Sequence, residues 1–206
     1  MIPRPLTKRT FDRAVTELAA RDPVVRGVID ELGPPPMWSR EPGFGTLVHI
    51  ILEQQVSLAS ARAAFTRLND AAGDLTPSSL LALTDDTLRA VGFSRQKTRY
   101  CRNLAHEIEN GTFDIEGLAR LDDDAVRREL TRLTGIGPWT SDIYLLMALL
   151  RPDVWPSGDL AIANVVQELY GHDERPGSEE LERIAESWRP WRAVAARVMW
   201  HAYLEE

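Results

Sequence analysis

Apolar residues recur at helical spacing along nearly the whole 206-residue chain, and strictly alternating runs are almost absent. Phe11, Val15, Leu18 and Ala19 form one stripe. Phe44, Leu47, Val48, Ile51, Leu52 and Gln55 form a second, and Leu58, Ala61, Phe65 and Leu68 a third. Each stripe is one face of an amphipathic helix that must be buried against another helix, because no sheet is available to receive it. The pattern predicts an all-α protein of about ten helices and no sheet. Thr76-Pro77 and Thr84-Asp85 have the chemistry of helix N-caps, as does Asp122, and Gly92 and Gly111 that of helix stops. The least regular stretch is residues 32–45, where prolines and glycines forbid a continuous helix. Pro190 is expected to open the last helix. Trp191 and Trp200, nine positions apart in that helix, fall about 180° apart around its axis, so one can be core while the other faces something else, although two core tryptophans at a helix crossing are the commoner case.

Composition narrows the chemistry. With 44% apolar and 27% charged residues, the chain can bury an ordinary core. Cys101 is the only cysteine, which excludes an internal disulfide and any four-thiolate zinc or iron–sulfur site within one chain. The start, MIPRPLTKRTF, lacks the apolar stretch of a signal peptide, and no apolar run reaches membrane-spanning length. The expectation is a soluble, cytoplasmic protein with no membrane partner. A net charge of −7 argues against generic nucleic-acid binding through basic patches. Of 24 basic residues only Lys8 and Lys97 are lysines, so a Schiff-base mechanism has two candidates.

The sharpest local pattern is LTRLTGIGPWTS, residues 130–141. A helix capped by Asp122 precedes it, and Pro138 stands where a helix N1 proline would. Gly135 and Gly137 flank Ile136. Two glycines allow a tight reversal and leave backbone N–H groups unscreened, while the following helix offers free amides and the positive end of its dipole. A phosphate fits there, with Ile136 filling the space between the helices. Taken alone, a GxG turn between helices is more often an ordinary connection.

The longer string L-x-G-I-G-x-W-T resembles the helix-hairpin-helix motif of the DNA glycosylase superfamily. Such a motif grips phosphate through backbone dipoles, which removes the objection from net charge. Further segments agree. The segments GFGTLVHIILEQQVSLASARAAF, LRAVGFSRQKTRYCRNLA and PWRAVAARVMWHAY are similar to three other segments of the family, in the family's order. The stretch VWPSGDLAIANVV, with Asp159 20 residues past Trp139, resembles the P-x-D-D-x-x-I pattern of the 3-methyladenine DNA glycosylase II branch. Pro156, Asp159 and Ile162 match, and Gly158 replaces the first Asp. The resemblance runs from about Phe44 to Tyr203 and to the compact form of that branch.

The resemblance implies two helical lobes around a cleft that accepts a DNA base, in a single glycosylase unit of residues 1–206. Its lobes are 43–155, with the hairpin at 122–150, and 1–42 plus 156–206. It implies a monomeric, monofunctional hydrolase that flips alkylated purines out of double-stranded DNA during base excision repair. Lyases of the superfamily carry a lysine where Trp139 stands, and branches with an iron–sulfur cluster need four cysteines. No cofactor is expected. Asp159 takes the catalytic role, stabilising positive charge on the sugar or orienting water. Trp139 and Trp200 wall the base pocket, where indole faces suit cationic alkylpurines. Ile143 stands in place of a family tyrosine, with Tyr144 adjacent and Trp38 as further pocket candidates. Gln55 is the wedge that enters the vacated stack. Gly135, Ile136, Gly137 and Thr140 bind phosphate, helped by Arg132, Arg95 and Lys97, and Arg127, Arg128 and Arg99 stand nearby in sequence. The backbone carbonyls of Thr131, Leu133 and Ile136 would hold a monovalent cation. Asp142 is a rival carboxylate, expected at the surface or at a cap.

Other readings stand beside this. A lone Asp before an apolar helix is more often an N-cap than a catalyst. The same fold could serve a non-catalytic DNA-damage binder, a glycosylase for a neutral base such as hypoxanthine, or an all-α protein-interaction domain. A binder would need no Asp159, a neutral-base enzyme would need hydrogen-bond partners for the base, and an interaction domain would show an apolar groove.

Overall fold

In a computed structural model that describes residues 2–205, the chain folds into helices joined by turns, with no strand among the described residues. In chain order these are α1 (Lys8–Arg21), α2 (Pro23–Leu32), α3 (Phe44–Glu53), α4 (Leu58–Ala72), α5 (Pro77–Ala82), α6 (Asp85–Val91), α7 (Arg95–Glu109), α8 (Asp123–Thr131), α9 (Pro138–Met147), α10 (Leu160–Tyr170), α11 (Ser178–Ala185) and α12 (Arg192–Glu205). Short 3-10 turns, Gly117–Arg120 and Glu186–Trp188, complete the set. The anticipated caps are in place. Thr76, Thr84 and Asp122 each accept a backbone N–H at the start of α5, α6 and α8, and Gly92 ends α6 in the left-handed conformation at φ 111°. One expectation fails: α12 begins at Arg192, not at Pro190. Trp191 therefore lies outside the helix, where its indole N–H donates to Glu17 at 2.6 Å beneath the Arg13 guanidinium. No helix among the described residues is long and apolar enough to cross a membrane.

The chain divides into two compact units. Unit 1 takes the described residues up to Ser39 and from Leu145 onward, and unit 2 takes Arg40–Tyr144. The sequence reading placed the later boundary at residue 155. Residues 145–155 belong instead to unit 1 because their partners are there. Val154 and Trp155 are buried, with the Trp155 ring tilted against Trp188 at 5.3 Å, and the Pro152 carbonyl accepts the Ala193 N–H.

The core of unit 1 is built around α12, which is buried on every side from Ala193 to Met199. Ala193, Val194, Ala195, Ala196, Val198 and Met199 are all fully buried. Phe11, Leu18, Val25, Ile162 and Val166 belong to the same core. In unit 2 the apolar members of the α3 stripe, Phe44, Leu47, Val48, Ile51 and Leu52, are buried as read, while Gln55 lies past the helix and is exposed; Ile50, Leu68, Leu80, Leu88, Leu104, Val126 and Leu130 join the core. Burying side chains of this size contributes about 1.5–3 kcal/mol each.

Candidate active site

The hairpin sits in unit 2 between α8 and α9. Gly135 has φ 89°, and a Cβ there would lie 2.1 Å from the Tyr100 ring. Only glycine allows both that backbone angle and that approach. Gly137 differs: it is exposed, has no positive φ, and a Cβ there would meet nothing within 4 Å. Its lack of a side chain keeps the backbone before α9 open.

The hairpin is also fastened from outside. Gln54 Nε2 donates to the Gly135 carbonyl at 2.9 Å and to the Thr140 hydroxyl at 3.0 Å. The Thr140 side chain is therefore buried and engaged by Gln54, so its hydroxyl is structural and not the phosphate contact the sequence suggested. Ile136 is buried as the inter-helix plug, but its N–H donates to the Leu133 carbonyl at 3.1 Å, which removes that amide as a phosphate donor. The Leu133 oxygen retains a second lone pair. With the Thr131 and Ile136 carbonyls it remains a donor set of hard oxygens, chemically suited to a monovalent cation.

Three further expectations change in this unit. Tyr144 is fully buried, and its hydroxyl accepts the Gly43 N–H at 3.0 Å, so it is a core residue with no face for a base. Burial pushes its phenol up to about 12. Asp142 is neither exposed nor a cap. It is 4% exposed and bound to Arg127 Nε at 2.7 Å. Burial is the largest single influence on the Arg127 pKa and lowers it, but the charge and hydrogen bond of Asp142, joined by Asp123 and Asp124, together hold the guanidinium above its ordinary value. Lys97 donates from Nζ to the Leu52 carbonyl at the end of α3, at 2.7 Å, and burial lowers its pKa. It is tied down rather than reaching outward.

Arg132 donates to the Thr112 carbonyl at 2.9 Å and pairs with Glu129. Arg95 and Arg99 are exposed, Arg99 over the Tyr100 ring at 5.6 Å. Gln55 follows Gln54 at φ 57° with its side chain exposed. A non-glycine residue in the left-handed region costs of order 1 kcal/mol or more and marks a functional tip more often than chance. Trp139 is half-buried.

Unit 1 carries Asp159, and the segment that delivers it is held at many points. The Arg151 guanidinium bonds to the Pro3 carbonyl, and Asp153 accepts from Arg189 and from Arg192, whose Nε lies 2.9 Å away. The Ser157 hydroxyl donates to Glu182 at 2.6 Å. Gly158, at φ 79°, then turns the chain into α10. Asp159 caps that helix: Oδ1 accepts the Ile162 N–H at 3.0 Å, and the residue is 7% exposed. The capping reading and the catalytic reading thus share one side chain. Trp200 on α12 is half-buried. Trp38 is half-buried at φ 40°, its ring edge-on to His201 at 6.2 Å.

Two residues were not singled out by the sequence reading. Gln54 was visible only as half of a Gln-Gln pair, and its partners lie far along the chain. Arg197 was visible as the one charge inside the apolar run of α12. Among the described residues no group of three His, Cys, Asp or Glu side chains could hold a metal ion.

The structure thus defines an all-helical protein with a glycine hairpin between two helices and a buried aspartate at the head of another. The sequence matches the HhH-GPD superfamily of base excision DNA repair proteins over residues 48–190, and the chain belongs to that superfamily. It is 29% identical over 168 residues to DNA-3-methyladenine glycosylase 1 of Schizosaccharomyces pombe, covering 80% of this chain and 73% of that one. It is 25% identical over 167 residues to the putative DNA-3-methyladenine glycosylase YfjP of Bacillus subtilis, a match that covers 77% of this chain and only 58% of the relative. Among solved structures, the S. pombe 3-methyladenine DNA glycosylase in complex with abasic DNA superimposes with a TM-score of 0.82 at 27% identity, covering 91% of this chain and 95% of that one.

Proposed function

We propose that this protein is a monofunctional DNA glycosylase that extrudes alkylated, cationic purines from duplex DNA and hydrolyses their N-glycosidic bond. The observation that carries the reading is Asp159: a carboxylate almost out of water, fixed at the head of α10 by the Ile162 N–H. A base within the stack is out of reach, so the nucleotide must first be flipped out. Gln55, exposed at its left-handed tip, fills the gap. The open backbone at Gly137 and the start of α9 hold a phosphate, Arg95 adds charge, and the hairpin carbonyls hold a cation beside it. Trp200 supplies an indole face to the base, and Trp139 is the unit 2 candidate for the same role.

In the bond-breaking step the electron pair of the glycosidic bond leaves with the base and quenches its positive charge. Positive charge then develops on the deoxyribose, and Asp159 stabilises it. Water adds to the sugar carbon and loses a proton, giving an abasic site and a neutral free base. A leaving group already activated by alkylation needs no second carboxylate, unlike ordinary glycoside hydrolysis. Neither lysine supplies a lyase amine: Lys97 is bound to the Leu52 carbonyl, and Lys8 pairs with Asp12 on α1. The chain needs no organic cofactor for this chemistry and acts as a monomer on double-stranded DNA.

The test is release of methylated purine from N-methylated duplex DNA, followed by mass spectrometry, for wild type and Asp159→Asn. Asparagine also caps helices, so the fold is kept. Loss of release by about 100-fold or more, with abasic-duplex binding retained, is expected. Undiminished release by the variant removes Asp159 from the chemistry. Binding without release by the wild type makes the protein a damage binder instead.

A further inference from the structure

Arg197 is the anomaly of unit 1. It is fully buried, and among the described residues no carboxylate pairs with it. Its three nitrogens instead serve three backbone carbonyls: Nε donates to Met37, Nη1 to Ala193 at 2.9 Å and Nη2 to Leu146 at 2.8 Å. Burial lowers its pKa to about 9. An apolar side chain of similar volume would fill this space without that penalty. What arginine adds is the grip on carbonyls, and one grip is unusual. The Met37 carbonyl belongs to the peptide plane that leads into Trp38, the residue at φ 40°. Fixing that plane fixes the strained backbone angle and so the direction of the indole. Backbone strain of this kind persists only where the surroundings enforce it, and it clusters at functional sites.

Helix geometry extends the argument. Arg197, Trp200 and His201 stand at i, i+3 and i+4 and share one side of α12. Arg197 holds Met37, while His201 meets the Trp38 ring edge-on and lies 3.3 Å from the Leu32 carbonyl through Nε2. Met37 and Trp38, in the irregular segment after α2, therefore lie against the side of α12 that carries Trp200. We propose that Trp38 is a specificity-determining wall for the extruded base, and that Arg197 is the positioning residue that holds it there with His201 as its edge contact. The inference rests on the glycosylase reading above and extends it to the choice among alkylated purines. 3-Methyladenine carries its methyl group on the six-membered ring, and 7-methylguanine on the five-membered one. An indole over one part of the purine weighs the two differently.

The experiment treats duplex DNA with dimethyl sulfate and measures 3-methyladenine and 7-methylguanine released from the same sample in a single turnover. Their ratio does not depend on how much protein is folded. Trp38→Leu and Arg197→Lys are each expected to shift that ratio by about fivefold in the same direction. The double variant should shift it no further than Trp38→Leu alone. An unchanged ratio in Trp38→Leu overturns the wall. A shift in Trp38→Leu with only a lower melting temperature in Arg197→Lys overturns the positioning role. If the wild type releases neither base, the glycosylase reading itself falls, and this inference with it.

Discussion

The hairpin in unit 2 and the segment that delivers Asp159 in unit 1 are both loops that end in a helix, yet they are held by opposite means. The hairpin is defined by absent side chains. Gly135 lets Tyr100 close on the backbone, Gly137 leaves open space, and the fastening comes from one amide, that of Gln54. The Asp159 segment is defined by side chains. Arg151, Asp153, Arg189, Arg192 and Ser157 all hold it before Gly158 turns it into α10. A site that offers backbone dipoles to a ligand must stay bare. A site that offers one carboxylate must fix its position before the substrate arrives, because misplacement is costly in rate. The first arrangement tolerates almost no added atom, and the second almost no lost hydrogen bond.

Asp159→Asn is the harshest test of this contrast. Lost chemistry and lost folding separate because the asparagine cap keeps stability within about 1 kcal/mol of wild type while base release collapses. The two glycines give the next largest effect. Gly135→Ala puts a methyl group into the Tyr100 ring at a left-handed residue, so thermal unfolding should show a loss of about 1–3 kcal/mol. Gly137→Ala should change stability by less than about 0.5 kcal/mol, yet raise the Kd for abasic duplex roughly tenfold by closing the approach to the backbone. Equal effects of the two alanines on stability would erase the distinction between a glycine required by packing and one required by the ligand.

Tyr144 offers a finer test. Its phenol ordinarily titrates near 10 and is pushed up to about 12 in the folded chain. Between those values the folded state keeps a proton that the unfolded state releases, so stability falls as pH rises. The loss approaches roughly 2–3 kcal/mol by pH 12. Tyr170 is shifted in the same direction by burial and by its bond to Asp22, so the measurement is the difference between wild type and Tyr144→Phe. The variant should lose about 1 kcal/mol at neutral pH, from the orphaned Gly43 N–H, and show a shallower alkaline decline. Identical alkaline slopes would place the Tyr144 hydroxyl in water. The smallest effect is expected of Gln55→Ala, which should leave stability within about 0.5 kcal/mol of wild type. It should slow base extrusion, read by a fluorescent base analogue, by several-fold.

The same contrast governs what could be read from the chain alone. Local devices were legible: the caps Thr76, Thr84 and Asp122, the left-handed Gly92 and the buried stripe of α3 all depend on neighbours within a few positions. Membership in the superfamily was legible because ordered motifs span most of the chain. Partners from distant segments were not. Asp142 finds Arg127, Tyr144 finds Gly43, and Thr140 finds Gln54, each through a meeting that no periodicity announces. Lys97 looked like a phosphate ligand from its sequence neighbours, and the end of α3 claimed it. A polar residue within an apolar run, as Arg197 is, was the one available clue that the core needed an anchor there.

The division into two units has a spectroscopic consequence. The chain has six tryptophans, and only Trp139 lies in Arg40–Tyr144. Intrinsic emission is therefore dominated by the other five, among them the buried Trp155 and Trp188. A fluorescence melting curve of the wild type would follow chiefly the aspartate-bearing half. Melting of the hairpin half would rest on one indole, beside the place where DNA is expected to arrive, and Trp139→Phe would leave that half with no tryptophan emission.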